Sequence, residues 1–122
     1  MSEDWVEECS KCSTGAAFEK LKNGVEADVK LRVGQTVGQS YTFRCEPDGR
    51  SFVALKEGNN LHRVVKFTHA GASIVVTEDD TVMMEAIAVL GDDGVCRLRV
   101  KGQDLEFWQF RKHALEGLFF RP

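Results

Sequence analysis

The pattern of apolar and polar positions is two-phased. From Val25 onward apolar residues recur at every second position: Val29, Leu31 and Val33 alternate with Lys30 and Arg32. Tyr41, Phe43 and Cys45 alternate with Thr42 and Arg44, and Cys96, Leu98 and Val100 with Arg97, Arg99 and Lys101. A period of two marks strands with one buried and one wet face. Phe52 to Leu55, Leu61 to Thr68 and Ser73 to Thr77 read as further strands, and Val82 to Leu90, apolar on both faces, reads as a central one. Between them stand turn formers: Gly34 to Gly38, Pro47-Asp48-Gly49, Gly58-Asn59-Asn60, Ala70-Gly71, Glu78-Asp79-Asp80, Gly91 to Gly94 and Lys101 to Asp104. Proline presets φ in such turns, and glycine takes positive φ. After the last turn, Leu105 to Phe110 reads as a return strand. His113 to Leu118 reads as a helical turn or bend, and Leu118-Phe119-Phe120 as a closing strand.

Residues 1–24 follow a different rule. Trp5, Cys9 and Cys12 are spaced for one helical face. Ser13 or Thr14 is placed to cap a second short turn through Ala16 to Leu21, and Asn23-Gly24 is expected to stop it. The segment is either a helix packed over the domain or an arm, and the need to cover Trp5 and Phe18 favours packing. The expected organisation is therefore a helical segment over residues 1–24 and a β domain over 25–122. Short strands separated by regular turns predict a mainly β protein, an antiparallel β-sandwich.

Composition narrows the picture. The chain has 122 residues, 43% hydrophobic and 29% charged, suited to one globular domain. No apolar run approaches the roughly 20 residues that span a bilayer, so no membrane span is expected. The acidic start, Met1-Ser-Glu-Asp4, is neither a signal peptide nor a basic transit peptide, which predicts a cytoplasmic protein. A net charge of −3 creates no global field toward nucleic acid, which is not an expected partner.

Candidate chemistry is sparse. Cys9 and Cys12 form a C-x-x-C, but Cys45 and Cys96 stand alone, without the second tight pair of a zinc site. Free thiols, no structural disulfide, no metal and no cofactor are expected; a thiol or metal role for the C-x-x-C is the alternative. His62 and His69, seven apart on one strand, point to opposite faces. Asp79-Asp80 and Asp92-Asp93 fit turns better than calcium loops. No nucleophile elbow, phosphate loop or zincin motif is present, so no enzyme is expected.

The run from Met84 to Arg111 resembles the end of a galectin domain. There Glu85-Ala-Ile-Ala-Val-Leu90 leads through Gly-Asp-Asp-Gly94 to Cys96-Arg-Leu-Arg-Val100, then Lys101-Gly102-Gln103, then Trp108-Gln109-Phe110-Arg111. Upstream, Phe43, Asp48-Gly49 and Phe52-Val-Ala-Leu55 resemble the strands before the family's sugar-binding strand, and Val64-Val65 its Val-x-Asn. The resemblance implies a jelly-roll, galectin-like sandwich. It does not carry the sugar motif. His-x-Asn-x-Arg falls on Lys56-Glu57-Gly58-Asn59-Asn60 with none retained, Val-x-Asn falls on Val65-Lys66-Phe67, the stacking Trp falls near Ile74, and Glu78 alone matches the family's glutamate.

The leading expectation is a non-enzymatic binding or adaptor module for a protein partner, of acidic character. It would use the exposed sheet face at Arg97, Arg99 and Lys101, with Trp108 nearby; three like charges at alternate positions repel unless a partner relieves them. The alternative is a lectin-like module taking a glycan or another small ligand at Lys56, Asn60, Lys66 and Glu78.

Overall fold

A computed structural model describes residues 5–121. The acidic run Met1 to Asp4, with the first residues of the 1–24 segment, lies outside the described residues. Two helices come first, α1 (Trp5–Lys11) and α2 (Thr14–Gln35). Seven strands follow: β1 (Thr42–Asp48), β2 (Ser51–Gly58), β3 (Leu61–Ala70), β4 (Ser73–Glu78), β5 (Thr81–Leu90), β6 (Cys96–Val100) and β7 (Gln103–Leu105). Helix α3 (Phe107–Phe120) closes the chain.

The protein is mainly β, as the alternation and turns predict. The strands form one antiparallel sheet in the order β1-β2-β3-β4-β5-β6-β7, a meander. Five of its connections are two-residue hairpins, because Asp48 pairs with Ser51, Gly58 with Leu61, Ala70 with Ser73, Glu78 with Thr81 and Val100 with Gln103. Asn59-Asn60, Asp79-Asp80 and Lys101-Gly102 all have positive φ at both loop positions. That is the turn whose twist matches the flanking strands. Strand β5 is shared along its length: Ala86 and the residues before it pair with β4, whereas Ile87 to Leu90 pair with β6.

The differences lie in what covers the sheet. The described residues show one open sheet rather than two packed ones, and helices supply the second layer. The stretch Val25 to Val33, which alternation marks as a strand, is the second half of α2. Its buried residues Ala17, Phe18, Leu21, Val25 and Val29 form a helical stripe that runs straight through Asn23-Gly24. Of the three residues in the apparent β alternation, Val29 is buried and Leu31 is 66% exposed. Ser13 caps α2, its Oγ accepting from the Ala16 amide at 3.1 Å. Gly24 does not end the helix; a Cβ there would stand 2.7 Å from an Arg111 nitrogen, so glycine makes room for the arginine to cross α2. Residues 1–24 and 25–122 are thus not separate units, since α2 spans their boundary.

The second difference is at the C-terminus. Leu105 to Phe110 is not a return strand, and Leu118 to Phe120 is not a closing one. The chain turns into α3 at Glu106, whose amide donates to Oε1 of Gln109 at 2.8 Å, half of a capping box. Phe107, Phe110, Ala114, Leu115, Leu118 and Phe119 are all buried on one helical stripe. The stretch Trp108-Gln109-Phe110-Arg111, which carries part of the galectin likeness, is therefore helical.

The core lies between the sheet's inner face and α2 and α3. Phe52 and Phe67 stack at 4.7 Å, Phe18 leans on Phe52 at 5.1 Å, and Phe119 meets Phe43 edge-on at 5.2 Å. Each such fully buried side chain contributes about 1.5–3 kcal/mol of transfer free energy. Leu98 is fully buried on β6, with Cys96 and Val100 half-buried beside it, in the register that alternation predicts. β5 is an interior strand, yet only Ala86 is fully buried on it, and Val82 and Ile87 are exposed.

The expectation of four free thiols is overturned. Cys12 and Cys96 form a disulfide across 84 positions, with Cα atoms 5.5 Å apart. The bond fastens the α1–α2 corner to the start of β6. The cysteines looked unclustered because the fold, not their spacing, brings them together. Cys9 is free and exposed, Cys45 free and half-buried on β1.

Candidate functional site

Of the expected basic stripe, Arg99 is exposed on β6, Arg97 is only half-exposed, and both are already neutralised. Arg97 donates to both carboxylate oxygens of Asp93, at 3.2 and 2.8 Å, and to Glu106 at 3.3 Å. Arg99 faces Asp104 across the β6–β7 pair and donates to it at 2.7 and 3.3 Å. These pairs hold the Asp93 carboxyl down to about 2, chiefly through the Arg97 hydrogen bond. They also hold Asp104 below its usual range and raise both guanidinium groups. The repulsion among like charges is relieved inside the chain, by acids the alternation argument did not pair with the stripe. Arg97 also ties the β5–β6 loop to the start of α3. Lys101 is exposed in the β6–β7 turn, at φ +50°. Trp108 is on α3, two residues past Glu106.

The four residues of the sugar alternative do not converge. Lys56 sits on the inner sheet face, 4% exposed, and its ammonium donates to the Arg121 carbonyl at 3.0 Å. Burial pushes its pKa down, and the nearby Arg63 and Arg32 push the same way. Lys66 points to the outer face and pairs with Asp48 at 3.1 Å. Asn60 occupies the exposed β2–β3 turn, and Glu78 is paired with Arg63.

What the chain assembles instead is a groove between α2 and α3, of about 390 Å³. Leu31, Trp108 and Phe120 stand open at 66%, 58% and 65% exposure, over a floor of Leu115 and Phe119. The α2 stripe that buries Val25 and Val29 turns Leu31 outward. On α3 Phe107 goes into the core and Trp108, next in the helix, goes out. The groove's charges are largely used within it. Arg111 pairs with Asp28 at 2.7 Å, and Lys112 with Glu116 at 3.1 Å. Arg32 donates to the Phe119 carbonyl at 3.2 and 2.9 Å and lies 4.4 Å over the Phe120 ring. Together with Arg63 on Gly117 and Lys56 on Arg121, it satisfies carbonyls at the end of α3, where cations also meet the negative end of the helix dipole.

Sequence reasoning found Trp108 but not its neighbours. The signal for Leu31 and Phe120 was the helical period of the two stripes, which places both outside the buried face. Among the described residues no cluster of three or more His, Cys, Asp or Glu side chains could hold a metal ion. No helix is long and apolar enough to cross a membrane. Comparison with family models, curated proteins and solved structures returns no match.

Proposed function

We propose that the protein is a non-enzymatic binding module that takes an amphipathic helical segment of a partner protein into the α2–α3 groove. The observation that carries this is the joint exposure of Leu31, Trp108 and Phe120 around one depression. Exposed apolar residues gathered in one place mark interaction surfaces, and tryptophan is enriched among the residues that dominate binding energy. A groove between two helices suits a third helix laid along it with apolar anchors at i, i+3 or i+4, and i+7. With the rim charges paired internally, apolar anchoring rather than charge would supply the affinity.

A glycan is the second reading, favoured by the exposed Trp108 in a shallow groove. Sugar recognition also needs hydrogen-bonding groups free to meet hydroxyls. Here Asp28, Arg111, Lys112, Glu116 and Arg32 already bond within the groove.

The test is affinity capture with the full chain and two variants, followed by a glycan array. Trp108→Ala with Leu31→Ser should lose the captured protein while the thermal midpoint stays within a few degrees. Arg97→Glu with Arg99→Glu should keep it. Loss only in the arginine double variant would return the interface to β6. Binding to the array that depends on Trp108 would favour the glycan.

A further inference from the structure

Three of the four cysteines meet at the α1–α2 corner. Cys12 is bonded to Cys96, and Cys9, free and exposed, lies one turn before Cys12. The Cys12 amide donates to the Cys9 carbonyl at 3.1 Å. This three-residue closure brings side chains at i and i+3 into line, as a 3₁₀ turn does. Turns closed this way keep their end Cα atoms within about 7 Å, and disulfides span about 4.4–6.8 Å. A free thiol thus lies one turn from a disulfide cysteine, at a backbone separation of the order that disulfides span.

We infer that Cys9, Cys12 and Cys96 form an internal thiol–disulfide exchange site. The Cys9 thiolate attacks Sγ of Cys12, the Cys9–Cys12 bond forms, the Cys12–Cys96 bond breaks, and Cys96 leaves as a thiolate. Cys9 gives its proton to solvent and Cys96 takes one back. One disulfide and one thiol are present before and after, so no outside oxidant or reductant is required. The reaction runs in either direction through the shared central sulfur.

The surroundings allow it. Helix α1 buries none of its residues, so its last turn can adjust without opening the core. The start of α2 stays anchored by buried Ala17 and Phe18, and by the Thr14 hydroxyl donating to the Ala72 carbonyl at 3.3 Å. Exchange would release the corner from β6, deliver a free Cys96 to the sheet, and leave a C-x-x-C disulfide. Cys45 is apart from this: burial, helped by Glu26, raises its thiol to about 11, which makes it a slow-reacting internal reference.

The experiment uses the purified, disulfide-intact full chain held at pH 6.5 and at pH 8.5 without added thiol. Samples are quenched in acid, alkylated with N-ethylmaleimide and digested with trypsin without reduction. Cleavage after Lys11 separates Cys9 from Cys12, so each disulfide gives its own linked peptides. Two species are expected, one alkylated at Cys9 and one at Cys96. Their interconversion should be at least about tenfold faster at the higher pH, because the thiolate rather than the thiol attacks a disulfide. Cys9→Ser should hold Cys12–Cys96 alone, and Cys96→Ser treated with glutathione disulfide should close Cys9–Cys12. The inference is overturned if Cys96 is never alkylated at either pH while Cys9 is. Two open thiols at Cys9 and Cys12 in the oxidised Cys96→Ser protein would overturn it as well.

Discussion

Gly58 closes β2 directly beneath the chain that enters β1. It sits at φ +155°, and a Cβ built there would lie 2.2 Å from the Ser40 carbonyl oxygen and 2.8 Å from the Cα of Tyr41. Both contacts are backbone, so neither can swing aside. Gly58→Ala must push the Ser40–Tyr41 segment away by most of an ångström. Tyr41 is not free to follow without consequence. Its ring lies 4.7 Å from the Lys56 ammonium, which in turn holds the Arg121 carbonyl beyond α3. Overpacking of this kind costs about 1–3 kcal/mol, and the backbone conformation adds about 1 kcal/mol or more. Gly49→Ala is the control. Gly49 also has positive φ, at +63°, but a Cβ there meets nothing within 4 Å, so it should lose only the conformational part, about 1 kcal/mol. Urea unfolding at pH 7, followed by circular dichroism, measures both. The Gly58 variant should be the less stable by at least about 1 kcal/mol beyond the control. Equal losses would refute the steric reasoning and place Ser40–Tyr41 away from Gly58.

Leu98→Ala should cost about 2–5 kcal/mol in urea unfolding, because Leu98 is fully buried on β6; a loss under half a kcal/mol would move it to the surface. The Asp93 carboxyl should titrate by carbon NMR near 2. Its folded pKa lies below the unfolded value of 3.8, so its stabilising contribution is full above 3.8 and fades as pH falls through about 2; Arg97→Met should return the midpoint toward 3.8. Lys56 has the opposite consequence. Its folded pKa lies below 10.5, so the unfolded chain holds more protons just below that pH and stability should rise with pH there, a slope that Lys56→Met should flatten. Reducing the Cys12–Cys96 bond opens a loop closed across 84 positions and should lower stability by about 4–5 kcal/mol on the chain-entropy account; urea curves with and without a phosphine reductant that differ by under 1 kcal/mol would show that reduced chains keep the same restraint.

The strands and their turns were legible because their determinants are local, whereas their joining into one open meander was not. Two-residue turns at Asn59-Asn60, Asp79-Asp80 and Lys101-Gly102 need particular backbone angles, and the residues that tolerate them mark the hairpins. The faces of β6 were legible because one-residue slips invert every side chain. The helices were misread where two periods overlap. Val29, Leu31 and Val33 satisfy a period of two, but Phe18, Leu21, Val25 and Val29 satisfy a helical one over a longer window, and the longer pattern won. Gly24 looked like a stop because its reason, the side chain of Arg111, lies 87 positions along the chain. The same applies to Cys12 with Cys96 and to Arg97 with Glu106: each is a tertiary pairing with no signature in local spacing.

Replacing an expected second sheet by two helices also changes where surplus apolar surface appears. A helix of 22 residues is about 33 Å long and one of 14 about 21 Å, enough to lie along the inner face of a seven-stranded sheet. Two such helices bury their stripes and leave a seam open to water. Folding alone asks for polar residues along that seam, as the charged neighbours Asp28, Lys112 and Glu116 provide. Leu31, Trp108 and Phe120 depart from that requirement at three points on two helices, and the three converge on one groove. None is needed to fill the core, since Val29, Phe107 and Phe119 beside them already do so. Departures from what folding demands, gathered in one place, are where function is to be sought. On this molecule that place is the helical seam, whereas the basic stripe of β6 answers to its own acids.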